Sequence, residues 1–346
     1  MRIAVTSVQV PYIHGGAEVH VRGLEAALRR AGHEVELIQM PFRFSPIASV
    51  RRSMDVWESE ELGDYNGYRI ERVICMKFPT FYAQHDNKVA WVMHQHRVVY
   101  DLWETPHADG LRGTKEGEAF RREIIERDQR GLAGCKRLFA NSRNVAERLR
   151  RYNGIRSEPL YHPPQRAELF YCEPAQPYVF FPSRFETLKR QSLLIEAMAL
   201  VRAPVVALLS GEGGQLQQAR ELVAKKGLHE RVRLLGRISD DQLLAYYAHA
   251  LGVFYGPFDE DYGYVTLEAM LAHKPVITCK DSGGPLELVV DGETGLVAEP
   301  KADAVAAAID RLWADRARAA RMGKAGRARF DELEISWDHV VEALLS

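Results

Sequence analysis

Short runs of β-branched and aromatic residues alternate with segments of helical period along nearly the whole of this 346-residue chain. That alternation is the mark of α/β proteins, because parallel strands need long crossovers and helices supply them. "RIAVTSVQV" (2–10) reads as a buried strand, "GGAEVHVRGLEAALRRAG" (15–32) as a helix closed by Gly32, and "EVELIQM" (34–40) as the next strand. Residues 41–68 are rich in Pro, Arg, Ser and acids without clear period and read as a long surface loop, followed by the strands "RIERVIC" and "KVAWVM", an amphipathic helix "EAFRREIIERDQRGLAG" and the strand "RLFANS". Turn formers and prolines then gather in "YNGIRSEPLYHPPQRAELF" (152–170), which reads as a linker. After it the alternation restarts with "YVFFPS" and runs to "PVITC", and "SWDHVVEALLS" makes a last helix. A single core seldom grows past about 250 to 300 residues, so the expectation is two domains. They are placed at 1–165 and 166–328, with 329–346 as a carboxy-terminal helix packing back toward the first domain.

Composition narrows the function. Hydrophobic residues at 46% and charged residues at 27% are ordinary globular values. The net charge of −1 divides unevenly: residues 1–170 hold 26 Lys and Arg against 22 Asp and Glu, and the remainder holds 20 against 25. A half near +4 is too weak for nucleic acid, which wants a concentrated basic stripe, though it allows a weak peripheral contact with an anionic membrane surface. Cys75, Cys135, Cys172 and Cys279 are too scattered for a zinc knuckle or redox pair and read as reduced, buried thiols. The opening residues lack the pattern of a signal peptide, and no run nears the roughly 18 apolar residues of a membrane span, so the expected location is cytoplasmic.

In open parallel sheets ligands sit beyond the carboxyl ends of the strands, so the loops there carry the candidates. Gly15 and Gly16 precede a helix and let backbone N–H groups approach an anion, although a tight helix turn would use the same glycines. "GEGG" (211–214), with Gly211, follows another strand, and neither segment completes a dinucleotide fingerprint or a Walker motif. In "RFETLKRQS", Arg184 and Lys189 leave a strand and enter a helix, a pairing of planar and point charge that suits a diphosphate. His94 and His96 lie at one strand mouth beside Gln95 and Arg97, with no third ligand at zinc-like spacing.

"GPFDEDYGYVTLEAM" (256–270) sets an acidic triplet before a helix that starts near Gly263. Glu260 falls in the loop and Glu268 a turn and a half in, so one ligand group cannot satisfy both, whereas the first-turn amides of Gly263, Tyr264 and Val265 could hold a phosphate between them. Carboxylates accept hydrogen bonds from vicinal hydroxyls, and two of them flanking a phosphate suit a sugar nucleotide. Two other readings remain at this point: Asp259 and Asp261 as a D-x-D pair for a divalent ion, and all three acids as a solvated helix lead-in.

These residues resemble the retaining glycosyltransferases of family 4, which have the two-domain GT-B fold, with the domains facing across a cleft. Glu260 and Glu268 match the family's Glu-x7-Glu motif, followed by "AMLAHKPVIT" and "GGPLELVVDGETGLV"; Arg184 and Lys189, Gly15 and Gly16, and His94 match its other marks. Asp261, Tyr262 and Lys274 depart from it, standing where glycine, phenylalanine and glycine are usual, and the first makes the donor sugar harder to read.

The resemblance implies transfer of a sugar from a UDP- or GDP-linked donor to an acceptor hydroxyl, with retention and without a metal or other cofactor. Arg184, Lys189 and the amides at 263–265 would meet the leaving diphosphate, Glu260 the donor-sugar hydroxyls, Glu268 the ribose, the backbone around Ile238 the base, and His94 the donor sugar or the oxocarbenium-like state. The acceptor, whether glycan, lipid-linked sugar or small metabolite, would meet the first domain, with polysaccharide or glycolipid synthesis as the setting. A nucleotide-sugar 2-epimerase of the same fold and a non-catalytic nucleotide-sugar-binding protein are the alternatives.

Overall fold

In a computed structural model, which describes residues 1–13 and 15–346, the chain divides into two compact units. One comprises Met1–His162 with Ser336–Ser346, and the other Pro163–Ile335. Each is an α/β layer structure built on a six-stranded sheet, as the alternating pattern requires.

The first unit holds strands β1 (Arg2–Gln9), β2 (Glu34–Pro41), β3 (Asp64–Tyr65), β4 (Tyr68–Arg69), β5 (Arg72–Cys75), β6 (Lys88–Val92), β7 (Arg137–Ala140) and β8 (Glu158–Pro159). Its sheet runs β2-β1-β5-β6-β7-β8, and every pairing in it is parallel. Successive side chains of a strand point to opposite faces, and both faces are dry here. Ile3, Val5, Ile74, Val89, Trp91 and Met93 enter one apolar cluster, while Ala4, Val73, Cys75, Ala90 and Val92 enter another. The helix Trp337–Leu345 belongs to this unit and closes the first of those clusters with Val340, Val341 and Leu344, packing on the helix Gly16–Arg30.

Two sequence expectations change here. Residues 41–68 contain a helix, Ile47–Ser59, that buries Val50, Met54 and Trp57; its single apolar stripe is diluted by Arg51, Arg52 and Asp55, which hid the period. "RIERVIC" is broken after Arg69, because Tyr68–Arg69 folds back on Asp64–Tyr65 as a two-residue hairpin. Asn66 and Gly67, at φ 54° and 85°, supply the left-handed pair such a turn demands.

The second unit holds β9 (Tyr178–Pro182), β10 (Val206–Ser210), β11 (Val232–Gly236), β12 (Gly252–Phe254), β13 (Val276–Cys279) and β14 (Gly295–Ala298). They run β11-β10-β9-β12-β13-β14, all parallel. Counted within the unit this is the order 3-2-1-4-5-6, whose winding reverses between β9 and β12. The carboxyl ends of those two strands are therefore where a crevice opens.

Of the cysteines, Cys75 and Cys279 are buried, but Cys172 is exposed, because it lies in an irregular segment before β9 rather than in a strand. No helix among the described residues is long and apolar enough to cross a membrane.

Candidate functional site

The switch point of the second unit gathers much of its candidate charge. β9 ends at Pro182, and the chain runs through Arg184 to Lys189 before the helix Gln191–Met198. From the neighbouring β12, residues 255–263 lead to the helix Tyr264–Leu271. Lys189 forms a short salt bridge with Glu260, both side chains being less than a fifth exposed, and donates to the Tyr255 hydroxyl at 3.1 Å. Its ammonium also lies 5.6 Å from the Tyr255 ring centroid. A carboxylate and a cation are thus paired at the β9–β12 switch point, with the Tyr255 hydroxyl accepting from the cation.

Arg184 is placed differently. Its side chain is 45% exposed and reaches Glu186 at 3.5 Å, so it stands at the rim rather than on Lys189. Gly211 explains the "GEGG" loop: at φ 130° it passes so close to the Ser183 carbonyl that a Cβ would overlap it. Phe185 donates its N–H to the Glu212 carbonyl at 2.9 Å, and the two loops support one another. Ile238, between β11 and the helix Asp240–His249, packs partly against the core.

Glu268 faces another partner from the one Glu260 faces. The Tyr247 hydroxyl donates to its carboxylate, and burial pushes the carboxyl up to about 7, an effect that the tyrosine bond partly opposes. The helix carrying it starts at Gly263, whose φ of 93° a side chain would strain and whose Cβ would press on Tyr255 and Pro285. Gly263, as the N-cap of this helix, has no side chain with which to cap it.

Sequence reasoning missed what supports this loop. Arg190 grips Asp281 with two bonds and lies over Phe258, while the N–H groups of Asp259 and Glu260 donate to the carbonyls of Asp281 and Ser282 at 2.8 and 3.0 Å. Asp259 takes a left-handed φ of 44°, a strained choice for a residue with a side chain. Arg190 was visible beside Lys189, but its partner lies 91 residues away. No group of three or more His, Cys, Asp and Glu among the described residues is placed to hold a metal ion.

In the first unit the carboxyl ends of β1, β5 and β6 bring up a second set. Gly15 caps the helix Gly16–Arg30 and is extended, with its N–H donating to Glu18 at 2.9 Å. Glu18 in turn pairs with the buried Lys77 at 3.3 Å, two residues sequence reasoning passed over. The two histidines after β6 part company. His96 is 4% exposed among Phe44, Phe78 and Phe120, and burial beside His94 lowers its pKa to about 4, so it is a neutral core ring. His94 is only partly buried, and its Nδ1 lies 2.8 Å from the Gln95 carbonyl.

Residues 173–329 match the family of glycosyl transferases group 1. Over 284 residues the chain is 31% identical to the D-inositol 3-phosphate glycosyltransferase of Nocardia farcinica, covering 72% of this chain and 62% of that protein. It is 36% identical over 196 residues to the GDP-mannose-dependent alpha-(1-6)-phosphatidylinositol monomannoside mannosyltransferase of Mycobacterium tuberculosis, covering 53% of this chain and 50% of the relative. Among solved structures, sucrose-phosphate synthase from Thermosynechococcus elongatus superposes with a TM-score of 0.80 at 23% identity, covering 99% of this chain and 97% of the other. HepE from Anabaena, in complex with UDP-glucose, gives 0.73 at 19% identity, covering 100% and 98%. Residues 173–329, within the second unit, thus form a glycosyl transferases group 1 domain, and the two parallel six-stranded sheets match the fold of GT-B glycosyltransferase structures.

Proposed function

We propose that this protein transfers a sugar from a UDP- or GDP-linked donor to an acceptor hydroxyl, with retention at the anomeric carbon and without a metal ion. The observation that carries the proposal is the pairing of Lys189 with Glu260 at the β9–β12 switch point. It puts a fixed cation beside a carboxylate that can accept sugar hydroxyls. When a glycosidic bond to a diphosphate breaks, negative charge grows on the departing oxygen, and preorganised cations and helix amides lower the barrier. Lys189, Arg184 and the start of the helix Tyr264–Leu271 take that part. Glu260 holds the sugar hydroxyls, Glu268 the ribose, the backbone at Gly211 and Ile238 the remainder of the nucleotide, and His94 acts on the reacting sugar.

Donor chemistry fits the company the chain keeps, since one relative is named for GDP-mannose and one structural neighbour holds UDP-glucose. The two relatives are named for D-inositol 3-phosphate and for phosphatidylinositol monomannoside. For this chain the acceptor class is a hydroxyl-bearing glycan, lipid-linked sugar or small metabolite received by the first unit, with glycoconjugate or polysaccharide synthesis in the cytoplasm as the setting.

The test is a thermal-shift panel of nucleotide sugars followed by product analysis. A donor that binds only the native state raises the melting temperature, and the transferred sugar must show the donor's anomeric configuration with EDTA present. Conversion of the donor sugar to an epimer without acceptor would replace this reading with an epimerase, and binding without any turnover would leave a nucleotide-sugar-binding protein.

A further inference from the structure

We propose that Asp128 is a positioning residue for His94, acting through a buried chain of Tyr100, Asn153 and Gln95; this rests on the assignment of His94 to the reacting sugar. Asp128 lies on the helix Lys115–Ala133 with its side chain fully buried. Two phenols donate to it, Tyr82 to Oδ1 and Tyr100 to Oδ2, each at 2.6 Å. A carboxylate this deep is costly without hydrogen bonds, and the two tyrosines are what satisfy it. They do so from different parts of the unit, Tyr82 from a turn after β5 and Tyr100 from the segment after His94.

Only one of those bonds leads onward. The Tyr100 hydroxyl, having donated to Asp128, accepts from Asn153 Nδ2 at 3.1 Å. Asn153, at the end of the helix Arg143–Asn153, accepts in turn through Oδ1 from Gln95 Nε2 in a short bond. Tyr100 and Gln95 are each 2% exposed and Asn153 is 8% exposed, so water does not compete for these partners.

Gln95 is the residue whose backbone carbonyl receives His94 Nδ1 at 2.8 Å. A carbonyl can only accept, so the ring carries its hydrogen on Nδ1, and the neutral ring has its lone pair on Nε2. The peptide that selects this tautomer belongs to the residue whose side chain the network anchors. Asp128 thereby fixes the ring's partner without touching the ring, through connections that cross three elements. Of the two phenols on Asp128, Tyr100 is the one bonded onward, through Asn153, to Gln95.

The test compares Tyr82→Phe with Tyr100→Phe in the full chain carrying 15N-labelled histidine. Each removes one hydroxyl from Asp128, and His94 signals are identified by their loss in His94→Ala. The wild type and Tyr82→Phe are expected to hold His94 in the Nδ1–H tautomer. Tyr100→Phe is expected to move its ring-nitrogen shifts toward values averaged over both tautomers, with turnover lowered about tenfold. Gln95→Met, which leaves both phenols on Asp128, must give the same shift, and it decides the matter if Tyr100→Phe does not fold. Unchanged His94 shifts in Gln95→Met, or an equal change in Tyr82→Phe, overturn the proposal. If His94→Ala keeps full turnover while the shifts behave as described, the positioning stands and the role given to His94 falls.

Discussion

Arg190 meets Asp281 through two parallel guanidinium–carboxylate bonds of 2.8 and 2.7 Å, and Asp281 passes that anchorage to the Glu260 loop through its backbone carbonyl. A lysine could supply the charge but not the fork. Arg190→Lys is therefore expected to lower turnover about tenfold by loosening Glu260, at a stability cost of about 1 kcal/mol, since the pair is partly exposed. Steady-state kinetics beside a thermal melt check it; turnover equal to wild type would show that the loop holds itself.

Glu260→Gln should separate binding from chemistry. Removing the carboxylate frees Lys189 from its partner, so affinity for a nucleoside diphosphate is expected to stay equal or tighten. Transfer should fall by about 100-fold, because the sugar loses a charged acceptor in the transition state. Calorimetry with UDP and GDP, set against turnover, measures both; loss of diphosphate affinity would mean that Glu260 supports the phosphate side instead.

With Glu268 in its proposed role, donor binding is expected to depend on pH. Burial raises its carboxyl from an ordinary 4.5 to about 7, so at pH 6 about a tenth of it is ionised. In the role proposed for Glu268 the ionised form holds the ribose hydroxyls, so affinity for a nucleotide sugar, whose diphosphate does not titrate in this range, should rise up to about tenfold from pH 6 to pH 8. Glu268→Gln should flatten that profile. The same raised pKa makes a stability contribution that is fully present below about 4.5 and lost as pH rises through about 7. Tyr247→Phe, which removes the bond that lowers the pKa, should shift the affinity profile to higher pH.

Gly23 lies under the Trp337 ring so closely that a Cβ there would overlap it. Gly23→Ala should displace the helix Trp337–Leu345 and cost about 1 to 3 kcal/mol, the usual range for an overpacked core. Chemical denaturation measures the loss, and limited proteolysis near Ser336 should accelerate. A melt identical to wild type would mean that the helix shifts freely.

The parallel α/β layout was legible because two dry sheet faces give continuous apolar strands, and Val89, Ala90, Trp91 and Val92 show that run most plainly. The helix Ile47–Ser59 was not, since its buried face is three residues wide among arginines and acids. At the candidate site, Arg184 and Lys189 stood out as two cations between a strand end and a helix, and Glu260 and Glu268 as carboxylates on either side of a helix start. Their partners were hidden: Tyr255, Tyr247 and Asp281 become neighbours only through strand order, which periodicity does not encode.

The measurement closest to the centre of this account is calorimetric binding of the cognate nucleoside diphosphate, in EDTA, to the wild type and to Lys189→Ala. The account predicts binding without a divalent ion and a loss of about tenfold or more in affinity on removing the ammonium. Binding that appears only when manganese or magnesium is added, or that is indifferent to Lys189, would contradict it.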